Sequence, residues 1–393
     1  MSKSRKNLAT LIVVALLAAA SVAHADGPKT SKKPFWVTVY YACWSQNNGT
    51  LLPSEIDFSA ITHLIHFAVE PLADGSIDTN TKADYVTPEQ SAAVITAAHA
   101  AKRKVLLCVG GYKGGDGFHA AVADPAARAA LEANLVKLVV DRGYDGLDVD
   151  YEPLNTVDIP SFELFVHEIR AQLTAANPGL MMTAAAGQQP AEYAKLEGLF
   201  DQINLMTYDL SGRWIGPRTW FNSCLSDNGD VKLRPGVPYP SVTARLQRFL
   251  DGGVPASKLS IGTAFYGFIW KGASGPALET APGAAAPTTM AYSKIMDQYF
   301  STTRYQWSNQ AVAPYLSIDA EDPAQRMFIS YDDERLIAEK VRFAQERGLG
   351  GIMVWELGQG YRRNKPAGER NPLLTSLKQA LSSTPQKSAS QPL

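Results

Sequence analysis

Four carboxylates stand close together in segment 145–152 of the 393-residue chain, which reads D-G-L-D-V-D-Y-E. Asp148, Asp150 and Glu152 occupy every second position, so in a β-strand they share one face. Acids on a buried face repel one another and are costly to desolvate, so such an arrangement is kept only if it has a use. We therefore favour a catalytic role for these acids over a strand edge that leaves them in solvent. We predict that Glu152, the outermost, is the general acid and base, with Asp150 and Asp148 in the same catalytic cluster. Asp145 has the opposite parity, and a structural role is expected for it.

Short apolar or β-branched runs alternate with helical patterns along the chain. Because the strand-then-helix unit repeats eight times without a hairpin pattern, it predicts an α/β fold, a (β/α)8 TIM barrel. Catalytic groups of such a barrel lie at the C-terminal ends of its strands, which places Glu152 at the open mouth. The predicted strands are Trp36–Ala42, His63–Val69, Val105–Val109, Gly146–Tyr151, Met181–Ala185, Gln202–Thr207, Leu259–Phe265 and Gly351–Trp355.

The predicted barrel, residues 26–381, is interrupted and flanked by other segments. The connection between the last two strands is too long for a simple loop and begins Gly/Ala/Pro-rich, so an insertion is expected at about 271–330. Residues 382–393 have the composition of a disordered tail.

Residues 1–25 have the features of a signal peptide. Lys3, Arg5 and Lys6 precede an apolar run that is too short to span a bilayer comfortably, and residues 23–25 form a small-x-small cleavage site. We expect cleavage and a secreted or periplasmic protein without a membrane anchor. Cleavage removes three positive charges and changes the net charge from −1 to −4, so the chain offers no basic patch for nucleic acid.

The cysteine and histidine usage indicates neither disulfides nor metal. Cys43, Cys108 and Cys224 are too few and too scattered for a disulfide framework, and buried thiols are expected. The histidines follow no zinc pattern. We expect a monomer without metal or cofactor.

Segment 145–152 resembles the D-x-x-D-x-D-x-E signature of glycoside hydrolase family 18, the chitinases and their relatives. Further segments resemble the family's motifs in the right order: residues 108–111 (C-V-G-G) its S-x-G-G motif, residues 206–209 (M-T-Y-D) its M-x-Y-D motif, and residues 265–267 (F-Y-G) its F-Y-G segment. The resemblance implies a TIM barrel whose insertion is a small α+β unit that forms one wall of a substrate groove. It also implies hydrolysis of β-1,4-linked N-acetylglucosamine polymers or oligomers.

The residues alone leave open which group assists the acid. No second carboxylate stands at a suitable strand end, and Glu356, the nearest candidate, has the wrong parity. The resemblance implies that the substrate's own N-acetyl carbonyl attacks the anomeric carbon, with retention of configuration. Asp150 then orients the acetamido group, Tyr208 donates to its oxygen, and Asp209 assists as an acceptor.

The family resemblance also implies which residues contact sugar. Trp355 corresponds to the tryptophan floor under the sugar at the cleavage site, although packing would explain it too. Met206 and Tyr208 could likewise be barrel core, and Trp214 and Trp220 are either acceptor-side platforms or loop packing. The predicted substrate-binding residues are Tyr40, Phe67, Gly111, Tyr112, Met206, Asp209, Trp214, Tyr266 and Trp355.

One departure from the family pattern concerns the innermost acid. In the family a serine hydroxyl and a first-strand tyrosine help to hold charge on this acid, which is Asp148 here. Cys108 replaces the serine, and a thiol is a weaker donor than a hydroxyl. Asp148 is therefore expected to depend strongly on Tyr40. Further departures are Tyr112 for tryptophan, Pro153 for tyrosine and Phe268 for arginine.

The leading functional hypothesis is a secreted, endo-acting chitinase or chitooligosaccharide hydrolase. A second is an endo-β-N-acetylglucosaminidase acting on glycans or peptidoglycan, which Tyr208 disfavours. A third is a chitinase-like lectin, which the presence of Glu152 disfavours.

Overall fold

The structure, a computed structural model, describes residues 34–78, 86–112, 115–227, 229, 232–280 and 286–383. The predicted leader, 1–25, and residues 384–393 of the predicted tail lie outside these ranges.

Eight parallel strands close into a barrel, which confirms the predicted fold class. Their order around the barrel is β1-β2-β4-β5-β6-β7-β8-β14, and β14 pairs back to β1. The short β3 pairs antiparallel with the end of β2. The strands of the described residues are β1 (Trp36–Ala42), β2 (His63–Pro71), β3 (Ile77–Asp78), β4 (Lys104–Gly110), β5 (Gly146–Asp150), β6 (Met181–Ala186), β7 (Gln202–Leu205), β8 (Leu259–Ala264), β9 (Tyr266–Lys271), β10 (Thr288–Ala291), β11 (Tyr305–Ser308), β12 (Ala313–Ile318), β13 (Met327–Tyr331) and β14 (Gly351–Trp355).

The observed barrel strands lie where the apolar runs predict them. The side chains of these runs pack inside the barrel and between the barrel and the helices. The bounds of β1 and β14 agree with the sequence prediction. The strand β7 ends at Leu205, two residues earlier than predicted, so Met206 and the residues after it lie beyond the strand, at the barrel mouth.

Helices surround the barrel, and some of them begin at a side-chain cap. The Asp124 side chain accepts from the backbone N–H groups of Ala126 and Ala127 at the start of α4, which Pro125 opens. No helix in the described ranges combines the length and the apolar character needed to cross a membrane. The helices are α1 (Cys43–Asn47), α2 (Pro88–Ala100), α3 (Gly115–Ala123), α4 (Pro125–Arg142), α5 (Ile159–Ala176), α6 (Pro190–Leu196), α7 (Val242–Asp251), α8 (Tyr292–Gln298), α9 (Glu334–Glu346), α10 (Leu357–Gly360) and α11 (Pro372–Ser382).

A separate antiparallel sheet lies between the last two barrel strands in sequence. Its order is β10-β9-β13-β12-β11, and α8 connects β10 to β11. The sheet begins at Tyr266, a single residue after β8, and ends at Tyr331, which matches an α+β insertion into the barrel. This insertion sheet is therefore joined to the barrel at the end of β8.

A buried ion pair fastens the insertion sheet to the barrel. Asp332, directly after β13, accepts hydrogen bonds at Oδ2 from Lys340 Nζ (2.5 Å), Thr263 Oγ1 (2.7 Å) and Ala264 N (3.1 Å). Lys340 also donates to Ser223 Oγ (2.6 Å), and its side chain is completely buried. Burial lowers the pKa of Lys340, and the charge of Asp332 opposes this effect. The pair thus joins β8, β13 and α9.

We expect Lys340→Met to lower the free energy of unfolding by about 3 to 5 kcal/mol, because it leaves the Asp332 carboxylate buried without its counter-charge. Urea unfolding followed by circular dichroism measures this loss. Arg342→Met is the matched control on the same helix, since Arg342 is half-exposed and its pairs with Glu339 and Glu346 are superficial. Its cost is expected to stay within about 1 kcal/mol. Equal losses in the two variants would contradict the structural role of the pair.

Candidate active site

The acid cluster occupies the centre of the barrel, on β5. Asp148 and Asp150 are buried, and the pairing of β5 places Asp148 beside Cys108 on β4 and Thr183 on β6. Glu152 lies two residues beyond the end of β5, at the barrel mouth. The three acids therefore run from the barrel interior to a cavity, in the order that their parity predicts.

Asp148 is held by three donors from three different strands. Tyr40 OH donates to Oδ2 (2.8 Å), Thr183 Oγ1 donates to Oδ1 (2.5 Å), and the Cys108 thiol donates as well. Burial raises the pKa of Asp148, and the three hydrogen bonds oppose this rise because they favour the carboxylate. The expected contact with Tyr40 is present. The hydroxyl of Thr183 is a further donor that the sequence analysis did not predict. The Asp148 carboxylate is therefore stabilised by more than Tyr40 and a weak thiol donor.

Asp150 and Glu152 share a hydrogen bond, and burial opposes the ionisation of both carboxyl groups. Burial raises the pKa of Asp150 well above its usual range, and the charges of Glu152 and Asp148 add to the effect. Burial raises the pKa of Glu152 to about 7; the hydrogen bond with Asp150 opposes the rise and the charge of Asp209 adds to it. Because both values rise, the pair retains a proton at neutral pH, within reach of the cavity.

Two cavities meet at Glu152. The first cavity has a volume of about 400 Å³ and lies at the side of the barrel mouth formed by β1, β2 and β14. The second has a volume of about 620 Å³ and lies at the side nearer α7. Residues that line both are Tyr112, Glu152, Ala185, Met206, Tyr208 and Asp209. The first cavity also includes Tyr40, Trp44, Phe67, Gly111, Asp150 and Trp355, and the second Pro153, Leu154, Gly187, Trp214 and Arg245.

An aromatic cluster forms one wall of the first cavity. The Trp355 ring lies 4.7 Å from Phe67, nearly perpendicular, and 5.4 Å from Tyr40 (ring centroids). Trp44 completes the cluster, 5.6 Å from Phe67. Trp44 was not among the predicted site residues, although it stands just after a barrel strand, as Trp355 stands at the end of one. Aromatic faces of this kind suit the apolar faces of sugar rings.

Two glycines at the end of β4 let the backbone approach the acids and the aromatic wall. Gly110 has φ of +102°, and a Cβ there would lie 2.2 Å from the carbonyl oxygen of Asp150. At Gly111, with φ of +98°, a Cβ would lie 2.5 Å from the Phe67 ring. Both the conformation and the space exclude a side chain, which explains the glycine pair of the C-V-G-G segment.

The residues after β7 bring a tyrosine and a further acid to the mouth. The Tyr208 hydroxyl lies 3.7 Å from Met353 Sδ, a weak acceptor, so it is available to a stronger one. Asp209 accepts from Tyr266 OH (2.5 Å), and its N–H donates to Asn222 Oδ1 (2.9 Å). Tyr266 is buried behind Asp209 and lines neither cavity.

The two tryptophans considered as sugar platforms lie in different places. Trp214 lines the second cavity and is 64% exposed. Trp220 is completely buried, stacks on Tyr239 and donates to the carbonyl of Pro240 (2.8 Å), which agrees with loop packing, the second of its two predicted roles. A tryptophan in a loop looks the same in the sequence whether its side chain is exposed, as in Trp214, or buried, as in Trp220.

The remaining acids of the sequence analysis lie away from both cavities. Glu356 is buried and accepts from Gly358 N (2.9 Å) and from Ser45. Asp145 accepts from Lys104 Nζ (2.6 Å) and Val105 N (2.9 Å), which is the structural role expected at the strand entry.

Neither a metal site nor a disulfide is found at the described residues. These residues contain no group of three His, Cys, Asp or Glu side chains that could hold a metal ion. Cys43, Cys108 and Cys224 are buried thiols, as expected.

The comparisons with known proteins agree on one family. The family model of glycosyl hydrolases family 18 matches residues 37–360. Chitinase 1 of Aphanocladium album is 26% identical over 391 residues, which cover 91% of this chain and 89% of the relative.

Solved structures match the fold. Group IV chitinase of Ostrinia furnacalis, in complex with allosamidin, superposes with a TM-score of 0.75 at 23% identity, over 89% of this chain and 99% of that one. Human YKL-39, described as a pseudo-chitinase with retained chitooligosaccharide binding, also gives a TM-score of 0.75, at 24% identity, over 89% of this chain and 100% of that one.

We expect Thr183→Val to raise the pKa of Asp148 by about 1 to 2 pH units, because a charge-assisted hydrogen bond of about 1.5 to 3 kcal/mol to the carboxylate is lost. Cys108→Ser is expected to lower this pKa, since a hydroxyl is the stronger donor. Carbon-13 NMR titration of aspartate-labelled protein measures both shifts. Thr38→Val is the control, because Thr38 is a buried strand threonine bonded to Gln202. A shift of the same size in the control would contradict the specific contact.

Proposed function

The chain belongs to glycosyl hydrolases family 18, and we propose that it is a chitinase that hydrolyses the β-1,4 bonds of chitin or chitooligosaccharides with retention of configuration. The observation that carries this proposal is the position of Glu152. Its carboxyl group stands where the two cavities meet, is hydrogen-bonded to Asp150, and has its pKa raised by burial to about 7. A sugar chain that runs through both cavities presents one glycosidic oxygen to this acid.

In the proposed first step, Glu152 protonates the glycosidic oxygen while the 2-acetamido carbonyl of the substrate attacks the anomeric carbon. The bond to the leaving sugar breaks, and a bond between the anomeric carbon and the acetamido oxygen forms. Asp150 lines the same cavity and can accept from the acetamido N–H, and the Tyr208 hydroxyl can donate to the acetamido oxygen. The aromatic wall with Trp355 supports the sugar that reacts.

In the second step, Glu152, now a carboxylate, takes a proton from water as the water attacks the anomeric carbon. The cyclic intermediate opens and the acid regains its proton. The buried position of Glu356 supports the use of the substrate's acetamido group, because this carboxylate cannot reach the sugar. Asp148 serves in this scheme as the fixed charge that keeps the proton on the outer pair.

The lectin alternative is weaker than catalysis. A binding protein needs no proton on an acid at the cavity junction, whereas this chain keeps Glu152 and raises its pKa. We further propose that residues 1–25 are a cleaved leader of an exported, endo-acting enzyme, and that residues 26–381 form its catalytic barrel.

Glu152→Gln is expected to reduce hydrolysis of chitohexaose by roughly 10²-fold or more, with sugar binding nearly intact, because it removes the proton but little volume. In the wild type, kcat/KM is expected to fall as the pH rises through about 7, because the acid must be protonated to act. Glu356→Gln is the matched control, since burial raises the pKa of Glu356 to about 7 as well, but it lines neither cavity. If the fall of kcat/KM at alkaline pH disappeared in Glu356→Gln and remained in Glu152→Gln, the assignment of Glu152 as the acid would be wrong.

The substrate-assisted route predicts retention of the anomeric configuration. NMR of the first products from chitohexaose is expected to show the β-anomer before mutarotation. A thiazoline analogue of an N-acetylglucosamine oligomer, which mimics the cyclised intermediate, is expected to inhibit competitively. Inverted products together with absent inhibition would exclude this route.

A further inference from the structure

Arg245 is a cation in the wall of the second cavity. It lies in the first turn of α7, and its Nη1 donates to the carbonyl oxygens of Gly187 (3.0 Å) and Met206 (3.4 Å). These two bonds hold the guanidinium at the ends of β6 and β7, next to the residues that line both cavities. No motif marks Arg245 in the sequence, because it belongs to a helix and not to a strand end.

The charge of Arg245 has no close counter-charge. Among the described residues, no carboxylate lies within 4.0 Å of its guanidinium, and its hydrogen bonds to them involve Nη1 only. Asp209 interacts with it at longer range and is already bonded by Tyr266. Burial and the neighbouring Arg248 lower the pKa of Arg245, and the charge of Asp209 opposes this effect. A ligand anion would supply the missing partner.

The proposed mechanism defines what enters this cavity. The sugar that supplies the acetamido group lies against Trp355 in the first cavity, so the second cavity, on the other side of Glu152, receives the leaving sugar. We infer that Arg245 selects a leaving sugar that carries a carboxylate, so that an acidic glycan of alternating N-acetylglucosamine and carboxylate-bearing amino sugar is cleaved in preference to its uncharged counterpart. This inference rests on the proposed function, because the direction of the leaving sugar follows from Glu152 as the acid.

A carboxylate fits the site better than a neutral sugar group. The planar fork of a guanidinium binds a carboxylate through two parallel hydrogen bonds, and Nε and Nη2 have no partner among the described residues. A sugar hydroxyl would satisfy one donor and leave the charge uncompensated. The other charged groups at this cavity are Glu152, which carries its proton in the reactive state, and Asp209. The substrate-assisted route restricts only the sugar that reacts, so the leaving sugar is free to differ.

The test compares two forms of one substrate. A tetrasaccharide of alternating N-acetylglucosamine and N-acetylmuramic acid is supplied as the free acid and as its methyl ester, which has the same shape without the charge. For the full-length wild type, kcat/KM is expected to be about tenfold higher for the acid than for the ester, which corresponds to about 1.4 kcal/mol. In Arg245→Gln this ratio is expected to fall to about one, mainly through KM.

Arg248→Gln is the matched control, because it removes the same charge from an exposed position of the same helix that lines neither cavity. It is expected to keep the wild-type ratio. A ratio near one in the wild type, or a ratio that Arg245→Gln leaves unchanged, would overturn the inference while chitohexaose hydrolysis still supports the proposed function. Failure of the wild type to cleave chitohexaose and both tetrasaccharides would instead refute the proposed function itself.

Discussion

A carboxylate in the middle of a barrel is the constraint on which the rest of the site depends. Asp148 is completely buried, and an isolated charge there would be too costly to keep. Its three donors come from β1, β4 and β6, while the acid itself comes from β5. The strands β4 and β6 pair with β5, whereas Tyr40 reaches Asp148 across the barrel from β1. The hydrogen bonds therefore exist only when the barrel is closed and its strands are in register. Barrel closure and the protonation state of the acid cluster are therefore linked.

The inner acid also affects the protonation of the acids further out. Burial opposes the ionisation of Asp150 most strongly, and the charges of Glu152 and Asp148 oppose it as well. Both pKa values of the outer pair are therefore raised, which favours a proton close to the cavities. This arrangement also explains why Gly110 must be a glycine, because any side chain there would collide with the backbone of Asp150 and displace the acid.

Sequence reasoning predicted the elements that depend on local pattern and missed contacts that depend on the closed barrel. The alternation of acids in segment 145–152 fixed the common face of Asp148, Asp150 and Glu152, and apolar runs located the eight strands. Thr183 was missed because a threonine within an apolar strand looks like ordinary packing until β5 and β6 are paired. Arg245 was missed because it lies on a helix. The sequence left Trp220 open between a sugar platform and loop packing, because burial of a loop indole is decided by tertiary contacts, here with Tyr239.

The insertion sheet supports the segment that carries Tyr208 and Asp209, although its described residues line neither cavity. Ser330 of β13 accepts from the backbone N–H of Asn222, whose side chain in turn accepts from the N–H of Asp209. In parallel, Lys340 donates to Ser223, and Ser223 donates to the carbonyl of Thr207 (2.7 Å), the residue before Tyr208. Both chains of hydrogen bonds end at the segment that presents Tyr208 and Asp209 to the cavities. Because β7 ends at Leu205, this segment has no strand ladder of its own to fix it. The buried Lys340–Asp332 pair and the β13 strand therefore hold the segment that carries the tyrosine in place, so the insertion contributes to the precision of the site.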